Sequence, residues 1–490
     1  MLFNSWQFFL FFPIVTGLYF LVPHRARWSL LLLASCFFYM TFIPVYILIL
    51  ATTIIVDYTA AILIEKSEGK KRLYYFVFSI ISTCLILFFF KYYNFFTENV
   101  TAIATLLHWN YSIQALKIIL PIGLSFHTFQ SLSYVIEVYR GNQKAEHHFG
   151  IYSLYVMFYP QLVAGPIERP QKLLHQFRMK HDFEYDRVTS GLKLMAWGLF
   201  KKVVIADRLA LFVNPIYNEP HNFSNSSLLI ATVLFAFQIY CDFAGYSDIA
   251  VGTARVMGFD LMQNFNRPYS AKTLSEFWQR WHISLSSWLR DYVYDPIAIG
   301  FRYSGLFGIG FALIVTFLIS GLWHGAAWTF VIWGLLHGFG LAIELMTSGS
   351  RKKIAKGMPV IFKTVSVTAT FSFICFAYIF FRAKNIGDAL YIAKNIFDGV
   401  SWSTINIIYS AFSLGSAEFL SGQSVLQFQI ALLAILIMEV VQMKIVEPVA
   451  VRRFMNAPWM IRWSAYYALI LTILLAGVWF SQREFIYFQF

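Results

Sequence analysis

Charged side chains are scarce in this sequence. They make up 13% of its 490 residues, where a soluble domain carries about a quarter. Acids are the rarer sign: 25 Asp and Glu stand against 38 Lys and Arg, a formal net charge of +13. Cys36, Cys84, Cys241 and Cys375 are scattered, with no CxxC pair among them, which argues against a disulfide framework and against zinc-binding spacings. No metal site and no bound cofactor are expected. The short alternating segments of a transmembrane barrel are missing, as are internal repeats and the paired broken helices of many transporters. The apolar start, Met1 to Val22, lacks a basic leader and a small-residue cleavage site, so it reads as a retained first span.

What fills the chain instead is hydrocarbon. Hydrophobic residues reach 58%, and runs of about 18 or more recur, each long enough to cross a bilayer as a helix. The expected fold class is an all-α polytopic membrane protein. The basic residues sit in short clusters between apolar runs, the pattern of cytoplasmic loops under the positive-inside rule, so no nucleic-acid partner is expected.

Trp28 to Ile64 is an apolar stretch of 37 residues, too long for one crossing of about 20, and Pro44 is its natural break. Leu73 to Phe90 is the next span, then Ile118 to Val138. Ile151 to Val163 has only 13 residues, which points to a re-entrant or interfacial segment. Gly191 to Val213 is interrupted by Lys201, Lys202, Asp207 and Arg208, and Leu228 to Gly252 carries Asp242 and Asp248. Acids and lysines in such runs belong in the protein interior, as ion pairs or as functional groups. Further spans follow at Leu306 to Leu322, Ala326 to Leu345, Val360 to Phe381, Val425 to Met443 and Trp463 to Phe480. The count comes to about eleven or twelve, with the C-terminus on the outer side.

Two histidine-centred words stand out. Phe277-Trp278-Gln279-Arg280-Trp281-His282 opens a stretch to Tyr292 whose aromatic residues recur at three- and four-residue steps, the spacing of one amphipathic helix. Alone, that stripe suits an interfacial helix. Arg280 beside His282 also suits an anionic or thioester-linked substrate. Gly321-Leu322-Trp323-His324-Gly325 lies inside an apolar run, with His337-Gly338 following. Flanking glycines allow another backbone or a ligand to come close. A buried imidazole is either a hydrogen-bonded core group or a general base, and both readings stand on physics alone.

These words, with Asn4-Ser5-Trp6, Leu120-Pro121-Ile122-Gly123, Ala164-Gly165-Pro166-Ile167-Glu168-Arg169 and Tyr246-Ser247-Asp248, resemble the signature of the membrane-bound O-acyltransferases, of the bacterial alginate O-acetyltransferase type. One loop departs from that pattern, reading Pro296-Ile297-Ala298-Ile299-Gly300. The resemblance spans most of the chain. It implies one membrane domain over 1–490, with a catalytic region at about 118–345 and C-terminal spans with an aromatic tail at 360–490. It also implies a helical bundle around a funnel or tunnel.

His324 then matches the family's essential catalytic position and His282 a second histidine. Arg280, Trp281, Arg290, Asp291 and Trp323 would line the donor side or tunnel. The expected donor is cytoplasmic acetyl-CoA, or an acyl carrier, and the expected setting is the bacterial inner membrane. The expected acceptor is an extracytoplasmic polysaccharide, reached through a periplasmic SGNH-type acetyltransferase and the polysaccharide-export machinery. The ending Phe485-Ile486-Tyr487-Phe488-Gln489-Phe490 suits an interfacial aromatic anchor. It also resembles the tail of a small protein of teichoic-acid D-alanylation, which implies Tyr487 as an acyl relay. Acylation of peptidoglycan, cellulose or teichoic acid, including D-alanyl transfer from a carrier protein, is the alternative. A transporter or flippase without covalent chemistry is the alternative from another class.

Overall fold

A computed structural model of the chain describes residues 1–109, 115–116, 119–398, 418–445, 453–479 and 485–486. These are overwhelmingly helical, and among the described residues eight helices are long and apolar enough to cross a membrane. The protein is an all-α, multi-pass membrane protein. Other apolar helices fall short on length: Trp6–Leu21 has 16 residues and Phe149–Met157 only nine. Nine residues rise about 13 Å, too little for a crossing, as the brevity of Ile151 to Val163 implied.

The chain divides into two compact units. The first comprises Met1–Met195 and Ile249–Gln263; the second comprises Ala196–Asp248 and the described residues from Asn264 onward.

In the first unit, Ser5 caps the helix Trp6–Leu21 by accepting from the Phe8 N–H. Pro44 begins a short 3-10 turn that splits the long apolar stretch into His24–Met40 and Ile47–Lys66, where the sequence placed the break. The following helix, Gly69–Leu87, continues through a π turn, Phe88–Tyr92, into Tyr93–Leu106. It overruns the expected end at Phe90 because no proline or glycine interrupts the run. Asp57, fully buried on Ile47–Lys66, accepts from the Ser79 hydroxyl at 2.6 Å and from Thr83 at 3.1 Å. That satisfies an acid in a hydrocarbon setting without a cation.

Ala164 to Glu168 are buried in this unit, with Arg169 half-buried, and the Glu168 carboxylate takes the Met262 N–H. Burial raises the Glu168 carboxyl to about 7 from its ordinary 4.5, against the opposing pull of that N–H. The folded state therefore binds this proton more tightly than the unfolded chain. The resulting stability is fully present below about pH 4.5 and is lost as pH rises to about 7, a swing on the order of 3 kcal/mol. Glu168→Gln is thus expected to flatten the stability profile and to melt higher than the parent at about pH 8. Thermal melts in detergent at about pH 5 and pH 8 check this; parallel profiles for the two proteins would count against it.

In the second unit the helices Gly305–His324 and Trp328–Met346 form a tight hairpin. Two glycines set its closeness. A Cβ on Gly321 would meet the Phe330 carbonyl oxygen at 2.3 Å, and one on Gly334 would meet that of Phe317 at 2.3 Å. The glycines of the second histidine word thus admit the backbone and ring of the partner helix, since Gly325 abuts the Phe330 ring. Against this hairpin packs Pro359–Arg382. The long helix Asn225–Met257 supplies Asp242 to Asp248 to the same unit.

Of the two readings given for these acids and lysines, ion pairs are what the structure holds, with Asp248 half-buried. Lys201 Nζ lies 2.7 Å from Asp248, and Lys202, fully buried on the π turn Phe200–Ala206, lies 2.5 Å from Asp242 and 3.0 Å from Asp207.

Candidate active site

His324 is the last residue of its helix and 5% exposed. Its Nδ1 stands 2.7 Å from the Ser320 carbonyl oxygen. A carbonyl only accepts, so Nδ1 carries the proton and the neutral ring keeps its lone pair on Nε2. The backbone of the same helix, one turn back, thereby fixes the tautomer a general base needs. Aromatic rings wall the imidazole: Trp323 at 4.9 Å, Trp333 at 4.8 Å and Phe381 at 5.5 Å between centroids.

His337 has the opposite tautomer. The Trp278 indole donates to its Nδ1 at 3.3 Å, so the neutral ring holds its proton on Nε2. Its ring lies 4.8 Å from Trp333, the same indole that touches His324.

The sequence predicted one helix from Phe277 to Tyr292, and here the structure differs. The stretch breaks into Leu274–Arg280 and Ile283–Leu289, with a π turn at Arg290–Tyr294. The break is at His282, which adopts φ +43° and ψ +55°. A non-glycine residue at positive φ is strained and persists only where its surroundings hold it. Asn264 does so. Its carbonyl accepts from the Ile283 N–H at 2.9 Å, its Oδ1 accepts from the Ser284 N–H at 3.1 Å, and its Nδ2 donates to Ser247 Oγ at 3.3 Å. The strained turn points the imidazole inward, fully buried, against Phe243 at 4.6 Å and Trp323 at 6.1 Å. Burial, helped by the nearby His324, pushes the His282 pKa well below its ordinary value, so the ring is neutral at neutral pH.

The other predicted residues divide. Trp323 lies between the rings of His282 and His324. Trp281 is buried and stacks on Phe277 at 5.5 Å. Arg280 pairs with Glu276 at 2.6 Å and donates to Ser270 Oγ at 2.7 Å, so its guanidinium tethers the turn around Ser270. Arg290 and Asp291 pair with each other at 3.0 Å. Tyr487 lies outside the described residues.

A cavity of about 460 Å³ opens beneath this turn, lined in part by Trp278, Gln279, Ser286, Ser287 and Arg290. A second, of about 430 Å³, shares Ser275, Tyr294, Leu313 and Leu341 with it and adds Arg351 and Lys352.

Sequence reasoning gave no site role to the residues that mount the site, and it passed over Phe243 and Asn264 altogether. The mounting residues on Asn225–Met257 share one stretch: Asp242 pairs with Lys202, Phe243 packs on His282, Ser247 holds Asn264, and Asp248 takes Lys201. The word Tyr246-Ser247-Asp248 signalled that stretch. Nothing in the sequence signalled Asn264.

Buried histidines ringed by indoles meet an apolar-walled cavity through Trp278, which bonds His337 and lines that cavity. Residues 146–387 match the MBOAT, membrane-bound O-acyltransferase, family. The chain is 34% identical over 436 residues to the peptidoglycan O-acetyltransferase of Helicobacter pylori, covering 82% of this chain and 81% of that one. It is 35% identical over 405 residues to the probable alginate O-acetylase of Pseudomonas aeruginosa, covering 82% and 76%. A teichoic acid D-alanyltransferase of Bacillus subtilis is 28% identical over 276 residues, 54% of this chain and 69% of that one. The chain belongs to the membrane-bound O-acyltransferase family, and it is an acyltransferase.

Proposed function

We propose that this protein resides in a bacterial inner membrane, takes acetyl from cytoplasmic acetyl-CoA and passes it across the bilayer for O-acetylation of an extracytoplasmic polysaccharide. The observation that supports this reading is the Nδ1–Ser320 bond, which puts the ring proton of the buried His324 on Nδ1 and so its lone pair on Nε2, as a general base requires. The peptidoglycan and alginate acetylation of the Helicobacter pylori and Pseudomonas aeruginosa relatives supports an acetyl group and a cell-envelope glycan as acceptor.

The donor enters along the two cavities. Lys352, and Arg351 once drawn from its pair with Glu344 at 3.5 Å, meet its phosphates, and its thioester arm passes Ser275 and Leu313 toward Trp278, whose indole bonds His337. Apolar walls suit a methylene-rich arm, and guanidinium suits phosphate. His282, with Trp323, shapes the space beside the base.

His324 Nε2 takes the proton of the Tyr487 phenol as its oxygen attacks the thioester carbonyl. A C–O bond forms and the C–S bond breaks. The proton returns from His324 to the departing thiolate, so free CoA leaves and an acetyl-tyrosine ester remains. A periplasmic SGNH-type transferase then moves the acetyl group to the polymer in the context of its export machinery.

The test is direct. Purified protein incubated with acetyl-labelled acetyl-CoA is expected to carry label on the peptide containing Tyr487. Turnover without that adduct would remove the relay and keep the acyltransferase. No turnover with acetyl-CoA but turnover with an aminoacyl carrier protein would replace the donor.

A further inference from the structure

We propose that the buried Asp207–Lys202–Asp242 cluster is a dock for the C-terminal segment, and that Lys202 and Asp242 are positioning residues for acyl transfer. The role in transfer rests on the reading of Tyr487 as acyl acceptor; the docking does not.

Chain termini ordinarily fray unless tied down. Here Phe485 is 1% exposed and Ile486 6%. The Ile486 N–H donates to Asp242 Oδ2 at 2.8 Å, while Oδ1 of the same carboxylate holds Lys202 at 2.5 Å. The Phe485 ring lies 4.1 Å from Lys202 Nζ, a cation–π contact. It also meets the Tyr246 ring, edge-on at 4.8 Å. Just after the helix Trp459–Ala476, the Val478 N–H donates to the carbonyl of Val203, the residue next to Lys202. The segment is thus tied to the cluster at Asp242 and beside it at Val203.

A buried ion pair is a poor way merely to stabilise a bundle, since apolar replacements often do as well. This cluster holds one cation against two carboxylates and gives one carboxylate oxygen to a backbone N–H from the chain end. It also sits next to the chemistry. Phe243, adjacent to Asp242 on the same helix, contacts the ring of His282. Tyr487 follows Ile486 in sequence, so holding the Ile486 N–H limits where the acceptor can reach.

Ile486→Pro removes the donated N–H and leaves every charge of the cluster in place. Ile486→Ala keeps the N–H and serves as control. Carboxypeptidase digestion of the folded protein, read by intact mass, is expected to stop short of Ile486 in the parent and the Ala variant and to run past it in the Pro variant. Loss of one bond to a charged acceptor is expected to slow acetyl transfer about ten- to a hundredfold through kcat, with the KM for acetyl-CoA unchanged. Asp242→Asn is expected to lower kcat in the same way. Equal trimming of parent and Pro variant would overturn the dock, even where Tyr487→Phe abolishes labelling. Trimming of the Pro variant with no label ever found on Tyr487 would support the dock and overturn its role in transfer.

Discussion

Replacing His324 by glutamine is expected to lower acetyl transfer by about two to four orders of magnitude, the contribution of a positioned general base. The fold should survive. Glutamine is polar and of similar size, and the loss of the bond to the Ser320 carbonyl costs about 1 kcal/mol. Turnover of labelled donor at saturation, alongside a thermal melt, separates the two effects. The same change at His337 should cost far less in rate, because its Nδ1 already accepts from the Trp278 indole and its Nε2 holds the proton. If the His324 variant kept full turnover with an intact melt, the assignment of the base would be wrong. If no form of the protein ever turned over acetyl-CoA, another acyl donor would be the better assignment.

The second large effect is on stability. Lys202→Met is expected to destabilise the protein by about 3–5 kcal/mol, because it strands the carboxylates of Asp207 and Asp242, both nearly fully buried, without their cation. The sign does not depend on whether the intact cluster is itself stabilising; breaking a buried pair is costly even where the pair gains little. Adding Asp242→Asn to Lys202→Met should recover part of the loss, a non-additivity typical of groups in direct contact. Melting temperatures of the parent, both single variants and the double variant in one detergent give the coupling. Additive shifts would mean that Lys202 and Asp242 do not interact in the folded protein. Because this change threatens the whole bundle, the docking of the C-terminal segment is better probed from the tail itself.

Much of this was legible in the sequence because the relevant physics is local or compositional. Apolar run length gave the helices, Pro44 gave the hairpin break, and the rarity of charge in hydrocarbon marked Lys201, Lys202, Asp207, Asp242 and Asp248 as interior groups. The histidine words drew attention to His324 and His282 for the same reason. What stayed hidden depends on contacts between distant residues. Aromatic spacing from Phe277 to Tyr292 supports one helix, and no local rule reveals that Asn264, 20 positions before Ser284, reverses the chain at His282. Arg280 shows the converse. Its partner Glu276 is four residues away, a spacing that marks a helical ion pair, and the appeal of an arginine beside a histidine outweighed that simpler reading.

The ring wall around His324 bears on waste. A thioester held beside a competent base is open to attack by any water that reaches it, and each such event spends a donor molecule for nothing. Indoles and a phenyl ring set edge-to-face around the imidazole, with centroids 4.8–5.5 Å away, leave little room for a hydration shell. On the proposed mechanism, this wall would make an acyl group wait for its acceptor instead of leaking to solvent. Opening that wall, for instance by Phe381→Ala, would be felt first as uncoupled hydrolysis and only later as slower transfer.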